Sequence, residues 1–219
     1  DFDRVLDSPT QNWATINSLG PGNSASDANL TYSPDNELLT TIGMPQNSGR
    51  FYMEVGPLVS GTGSARGVAL QTHDYNNSVS SSGVGNWSVY TSNPTNLLIC
   101  QGDTGVTTEV QYFLPNSGIW QIAYDSDTGE AWLGIDGQFY DSDFNETIVG
   151  TNPTWANVNA EVFAKARIGS YDGGQPWPVN FGQKPLLHQP NGWRGIQTQN
   201  LPAAPIADGR DHFQAITGP

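Results

Sequence analysis

Lysine occurs only twice in the 219 residues, at Lys165 and Lys184, and cysteine once, at Cys100. A coiled coil or helical bundle needs abundant Ala, Glu, Lys, Leu and Arg at helical period, so so little lysine argues against both. One thiol closes no internal disulfide and builds no cysteine-based zinc site, and it leaves the redox compartment open. Charged residues are 13% of the chain and hydrophobic ones 36%, so the remaining polarity is uncharged Asn, Gln, Ser, Thr and Gly. No run of about 18 apolar residues is present, so no helical membrane span is expected. Eight basic residues face twenty-one acidic ones, for a net charge of −13 and a pI near 4.2. Phosphate backbones and anionic membranes would be repelled at close range, so nucleic acid and membrane insertion are not expected. The chain starts Asp1-Phe2-Asp3 without an initiator methionine, which leads us to expect a domain cut from a longer protein.

Aromatic residues are plentiful: 7 Trp, 8 Tyr and 8 Phe. Solvated disordered segments carry far fewer, so the chain is expected to fold, and its length allows a substantial core. Apolar residues recur in short runs at period two, and no helix-length stretch keeps an i, i+3, i+4, i+7 stripe. Phe51–Val55, Arg66–Leu70, Trp87–Tyr90 and Val110–Phe113 read as strands bounded by Gly, Pro, Asn and Ser. The strongest element is a hairpin of Ile119–Tyr124 and Glu130–Ile135 around Asp125-Ser-Asp127-Thr-Gly129, with a second turn at Asp136-Gly137. The 25 Gly and 15 Pro are spread evenly, so residues 1–200 read as one domain and 201–219 as a Pro-containing extended connector towards a further domain. The predicted fold class is all-β, a sandwich or jelly roll of antiparallel strands with long loops and very little helix.

Motifs that would carry catalysis are missing. No Gly-x-Ser-x-Gly elbow occurs, and Gly61-Thr-Gly63-Ser-Ala-Arg66-Gly67 misplaces the third glycine of a dinucleotide loop and has no βαβ context. His73, His188 and His212 lie far apart, without the spacing of a zinc site. Asp125, Asp127, Glu130, Asp136, Asp141, Asp143 and Glu146 concentrate acids between residues 125 and 146. An EF-hand match fails there, because position 5 of the loop is Gly129 and no Glu stands at position 12. A hairpin turn whose Asp side chains bond nearby backbone N–H groups explains Asp125 and Asp127 as well as a cation does. The Glu-x-Asp-x-x-Glu strand of retaining sandwich glycosidases is absent. The expectation is a non-enzyme without cofactor or metal.

Aromatic residues in loop surroundings are the better clue, because Trp and Tyr stack on sugars and peptides at low entropic cost. Two segments combine them with hydrogen-bonding polar residues: His73-Asp74-Tyr75-Asn76-Asn77 and Ser170–Trp177. The candidate ligand-binding residues are therefore His73, Tyr75, Tyr171, Asp172, Gln175 and Trp177. An alternative for Trp177 is a plug at the sandwich edge between Pro176 and Pro178. With so acidic a chain, contact is expected to rest on stacking and neutral hydrogen bonds and to depend little on salt.

Three runs in order also resemble a known family. Ser48-Gly49-Arg50-Phe51-Tyr52-Met53-Glu54-Val55 is similar to the "SGKWYWEV" strand of SPRY (B30.2-like) domains. Tyr124–Gly137 is similar to their "LDLDTGTLWFSKNG" hairpin, and Glu161-Val162-Phe163-Ala164 with Asn180-Phe181-Gly182-Gln183-Lys184-Pro185 to their closing "YPAVSLY…NFGQRPF". The flanks Leu6–Asn17 and Gly192–Pro202 resemble the "DSPTNNFATLNP" opening and "GFKALNTANLP" exit of SPRY-like modules in bacteriophage virion proteins. The resemblance implies a bent, concanavalin-like sandwich of two antiparallel sheets whose rim loops recognise protein or glycan partners without catalysis. It also implies a place on the exterior of a phage virion, on a tail fibre or other host-facing appendage. The partners would be a host-surface glycan or protein and other virion proteins, with any homo-oligomer formed through the parent protein. A capsid decoration protein and a glycan depolymerase are the alternatives.

Overall fold

The computed structural model describes residues 11–18, 25–32, 37–58, 66–73, 83–93, 96–111, 118–168 and 177–202. Among these, the regular elements are strands and a single 3₁₀ turn, Thr198–Asn200. The strands are β1 (Ala25–Ser26), β2 (Thr31–Tyr32), β3 (Glu37–Leu39), β4 (Arg50–Leu58), β5 (Arg66–Gln71), β6 (Asn86–Asn93), β7 (Asn96–Gln101) and β8 (Val106–Gln111), followed by β9 (Gly118–Asp125), β10 (Glu130–Ile135), β11 (Gln138–Tyr140), β12 (Glu146–Thr147), β13 (Phe163–Ile168) and β14 (Trp177–Asn180). They form two antiparallel sheets, a large one in the order β1-β2-β14-β4-β9-β10-β11-β12 and a small one in the order β3-β13-β5-β6-β7-β8. This is the predicted all-β sandwich.

Local chemistry explains the central strands. The β9–β10 hairpin closes with Gly129 at φ +70°, while the Asp127 N–H donates to Asp125 Oδ1 at 3.1 Å and the Gly129 N–H to the Asp125 carbonyl at 2.9 Å. The β10–β11 turn has positive φ at both Asp136 and Gly137, the backbone that a two-residue type I′ hairpin requires. Period two then sorts the side chains. Phe51, Met53 and Val55 on β4, Trp120, Ile122 and Tyr124 on β9, and Ala131, Leu133 and Ile135 on β10 point into the main core, which also takes in Val68, Leu70, Trp87, Val89, Leu97, Ile99, Trp155 and Phe181.

The hairpin's two indoles part company. Trp120 joins the main core and stacks edge-on against Trp177 at 5.8 Å, whereas Trp132 is buried on the opposite face of the sheet.

Several strands fall elsewhere than expected. β8 starts at Val106 and the expected Tyr112-Phe113 end lies outside the described residues; β7 had not been anticipated. Leu201 packs against the core, while residues 203–219 of the expected connector lie outside the described residues.

Asn180-Phe181-Gly182 closes the large sheet. Phe181 is fully buried directly after β14, and Gly182 has φ +112° with the Trp13 ring 2.5 Å from where a Cβ would stand. Phe181→Ala should cost about 3–5 kcal/mol and lower Tm by roughly 6–20 °C. A thermal melt unchanged from the parent would remove Phe181 from the load of the core.

Candidate functional site: a groove between Trp13 and the exit segment

On the outer face of the large sheet, register aligns Tyr52 with Ala123 and Ala123 with Trp132. With Phe139 these residues form a second, smaller apolar cluster, covered by Trp193, Leu186 and Val149. Trp193 meets Trp132 edge-on at 5.8 Å. The covering segment is held by a carboxylate. Glu54, 4% exposed on β4, accepts hydrogen bonds from the His188 N–H at 2.7 Å, the Leu187 N–H at 3.1 Å and the Tyr52 hydroxyl at 3.1 Å. Three donors offset the desolvation of the buried charge. Beside it, Arg50 Nε pairs with Asp125 Oδ2 at 2.8 Å while its guanidinium carbon stands 5.7 Å from the Trp193 ring centroid.

Asn180 organises the turn between β14 and this cover. Its Oδ1 accepts the Gly182 N–H at 3.0 Å and the Lys184 N–H at 3.3 Å, and its Nδ2 donates to the Lys184 and Pro185 carbonyls, both at 3.2 Å. The exit segment then pairs on both sides. The Arg194 N–H donates to the Arg50 carbonyl at 3.1 Å and the Tyr52 N–H to the Arg194 carbonyl at 2.7 Å. The Ile196 N–H donates to the Phe181 carbonyl at 2.8 Å, the Ala14 N–H to the Ile196 carbonyl at 2.9 Å and the Thr198 N–H to the Asn12 carbonyl at 2.9 Å. Where the two ends of the described chain meet lies an open groove of about 480 Å³, lined among others by Trp13, Lys184, Gln189, Arg194, Gln197 and Asn200.

Of the sequence-derived ligand residues, the two that are described, His73 and Trp177, do not line this groove. Tyr75, Tyr171, Asp172 and Gln175 lie outside the described residues. His73 is exposed just after β5, its ring 6.0 Å from that of Phe163. Trp177 is 0% exposed, so the expected stacking face is unavailable, and it sits in the main core on β14, between β2 and β4, rather than as a plug at the sandwich edge. Its β-strand alternation turns the ring inward onto Trp120, and the indole Nε1 is buried without a hydrogen-bond partner among the described residues.

The acids of residues 125–146 serve loops and turns. Asp136 Oδ1 accepts the Ile119 N–H at 2.8 Å, and Asp141 Oδ1 accepts the N–H groups of Asp143 at 2.9 Å and Asn145 at 2.8 Å. Among the described residues no three His, Cys, Asp or Glu side chains gather as a metal site. A hollow of about 520 Å³ lined by Gln101, Asp141, Asp143 and Asn152 sits beside that loop.

Sequence reading missed a buried polar row on the small sheet. Lys165 Nζ donates to Gln71 Oε1 at 3.2 Å, Gln71 Nε2 to Asn86 Oδ1 at 2.8 Å, and Asn86 Nδ2 to Ser88 Oγ at 3.1 Å, with all four residues buried. Polar residues at alternate strand positions read as solvent-facing; only the tertiary cover tells otherwise.

No protein-family model matches the sequence, and no curated protein matches it. Solved structures do. The PSpry domain of TRIM65 aligns with a TM-score of 0.52 at 8% identity, over 77% of this chain and 90% of that one. The SPRY domain of human HERC1 aligns at 0.47 and 11% identity, over 82% of this chain and 99% of that one. The chain has a SPRY-type sandwich fold.

The buried phenols give this region a pH signature. Burial first, then the Glu54 charge and its hydrogen bond, hold the Tyr52 hydroxyl far above its ordinary value near 10. Burial, then Asp125 and Asp127, raise Tyr124 in the same way. In the unfolded chain both ionise near 10, so the folded state keeps protons that the unfolded state loses as pH rises. Their contribution is therefore complete below pH 10 and declines above it. Urea midpoints should be flat from pH 8 to about 9.5 and fall beyond about 10, with a shallower fall in Tyr52→Phe; an equal slope in that variant would contradict the assignment.

Proposed function

We propose that the chain is a non-enzymatic binding module on the exterior of a bacteriophage particle, on a tail fibre or another host-facing appendage, where it recognises a host-surface glycan or protein. The observation that carries the binding reading is the groove between Trp13 and the 182–200 segment, which gathers two indoles, four amides and two cations around residues 194–198, whose backbone is paired on both sides. Rigidly supported polar and aromatic groups of this kind suit recognition, because little freedom is lost when a ligand arrives. The phage setting is supported by the flanking runs Leu6–Asn17 and Gly192–Pro202, and the rim segments holding Tyr75, Tyr171, Asp172 and Gln175 would add contacts. The SPRY-type fold by itself names no ligand, since such scaffolds carry many functions.

The labelled chain should bind host cells and, in excess, slow adsorption of the phage that carries it. Binding to particles but not to cells would replace this reading with a capsid decoration protein. Release of sugar from host polysaccharide by the purified chain would replace it with a glycan depolymerase.

A further inference from the structure

The groove between Trp13 and the 182–200 segment is lined by two cations in a protein with only eight basic residues against twenty-one acidic ones. Lys184 and Arg194 both line it, and no lining residue among the described residues is acidic. Both side chains are exposed, and neither has an acidic partner among the described residues. Arg50 differs: its charge is taken by Asp125 at 2.8 Å. Two cations without an acidic partner among the described residues, at one hollow of a chain carrying −13, call for an anion.

The neutral groups narrow the ligand further. Of the four lining amides, Gln183 is held at both ends, by the Phe181 N–H at 2.8 Å and the Val179 carbonyl at 3.3 Å, and the other three are fixed at one end. Gln189 Nε2 donates to the Trp193 carbonyl at 2.6 Å, Asn200 Nδ2 donates to the Gly195 carbonyl at 2.7 Å, and Gln197 Oε1 accepts from Gln11 Nε2 at 2.7 Å. Gln189 Oε1, Asn200 Oδ1 and Gln197 Nε2 are thereby left as two acceptors and one donor without a partner among the described residues. Hydroxyl groups, which both donate and accept, match such a mixed set. Trp13, half-buried beside them, offers an indole to the apolar face of a sugar ring.

An extended acidic peptide fits less well. It would gain most of its affinity by adding a strand to a free edge, yet residues 194–198 pair with β4 and Phe181 and with the 12–14 segment. The volume of about 480 Å³ lies within the range of small-ligand sites.

We propose that this groove binds an acidic saccharide, with its anionic group paired to Lys184 and Arg194, its hydroxyls bonded to Gln189, Gln197 and Asn200, and a ring face set on Trp13. This rests on the binding-module reading and supplies its ligand class. It also departs from the expectation of purely neutral contacts.

The test uses the whole chain on a glycan array containing uronate-bearing, sulfated and neutral oligosaccharides, followed by calorimetry on the best-bound acidic glycan and its carboxyl-reduced or desulfated counterpart. The uronate and sulfate arms identify which anion the cations prefer. Acidic glycans should dominate, and removing the anionic group should weaken binding about tenfold or more. Lys184→Ala and Arg194→Ala, both truncations of exposed side chains, should weaken the acidic glycan similarly, leave the neutral counterpart unaffected and keep the parent's melting temperature. Retention of neutral glycans alone, unaffected affinity in both variants, or equal loss on both glycan forms overturns the acidic-saccharide site and leaves the binding module standing. Tight binding of polyglutamate that depends on the same two cations replaces the saccharide with an acidic peptide. Failure to bind either host cells or any glycan on the array removes both readings.

Discussion

A carboxylate taken out of water costs several kcal/mol unless donors meet it, and a lone buried charge at Glu54 would work against the sheet that holds it. Glu54 is met by Tyr52 from its own strand and by the backbone of Leu187 and His188 from far along the chain. The arrangement is therefore conditional: the carboxylate is tolerable only while the covering segment is docked. That couples the second apolar cluster to the main fold, because Leu186 and Trp193 reach Tyr52, Trp132 and Phe139 only on the same segment. It also sets Trp193 beside Arg50 and carries Arg194 into its pairing with β4, so the groove inherits its shape from one buried acid.

The two sheets solve the problem of their outer faces differently. The large sheet carries aromatic residues there and buries them under irregular chain that returns after β14. The small sheet carries the row from Lys165 through Gln71 and Asn86 to Ser88, buried but polar. An apolar face accepts any well-shaped cover, whereas a polar row rewards only partners that complete its hydrogen bonds, so it specifies its neighbours more strictly. The large sheet's cover, in turn, owes its specificity to Glu54 and Asn180, which act on backbone groups and therefore fix position along the chain rather than mere contact.

How much of this could be read from the sequence depends on how local the cause is. The β9–β10 hairpin and its Gly129 turn were legible because alternation and turn chemistry sit within a few residues of one another. Phe181 and Gly182 were legible for the same reason, through a run resembling a known closing strand. β7 escaped notice because Leu97-Leu98-Ile99-Cys100 is an unbroken apolar run without alternation, and Trp177 was taken for a loop residue because prolines stand on both sides of it. Pro178 is accommodated in the short β14, so the proline rule gave the wrong weight there. The Glu54 clamp could not be read, since its partners are backbone N–H groups 133 and 134 residues away. The groove escaped for the same reason, joining Trp13 to residues 182–200.

The charge of the whole chain and that of the groove act over different distances. At physiological ionic strength the field of a distant acid is damped over about 8 Å, so most of the −13 is felt weakly by a ligand already seated in the groove. A bound anion is held by the charges it touches, and at that range Lys184 and Arg194 stand without acidic competitors among the described lining residues. An approaching anionic polymer, by contrast, meets the long-range field first and is slowed by it. A short acidic determinant displayed on an otherwise neutral chain avoids most of that penalty while keeping the local attraction. If the groove binds an acidic saccharide as proposed, the acidic chain would act as a filter, discouraging densely charged polymers and admitting ligands whose charge is sparse enough to arrive without accumulating repulsion on the way.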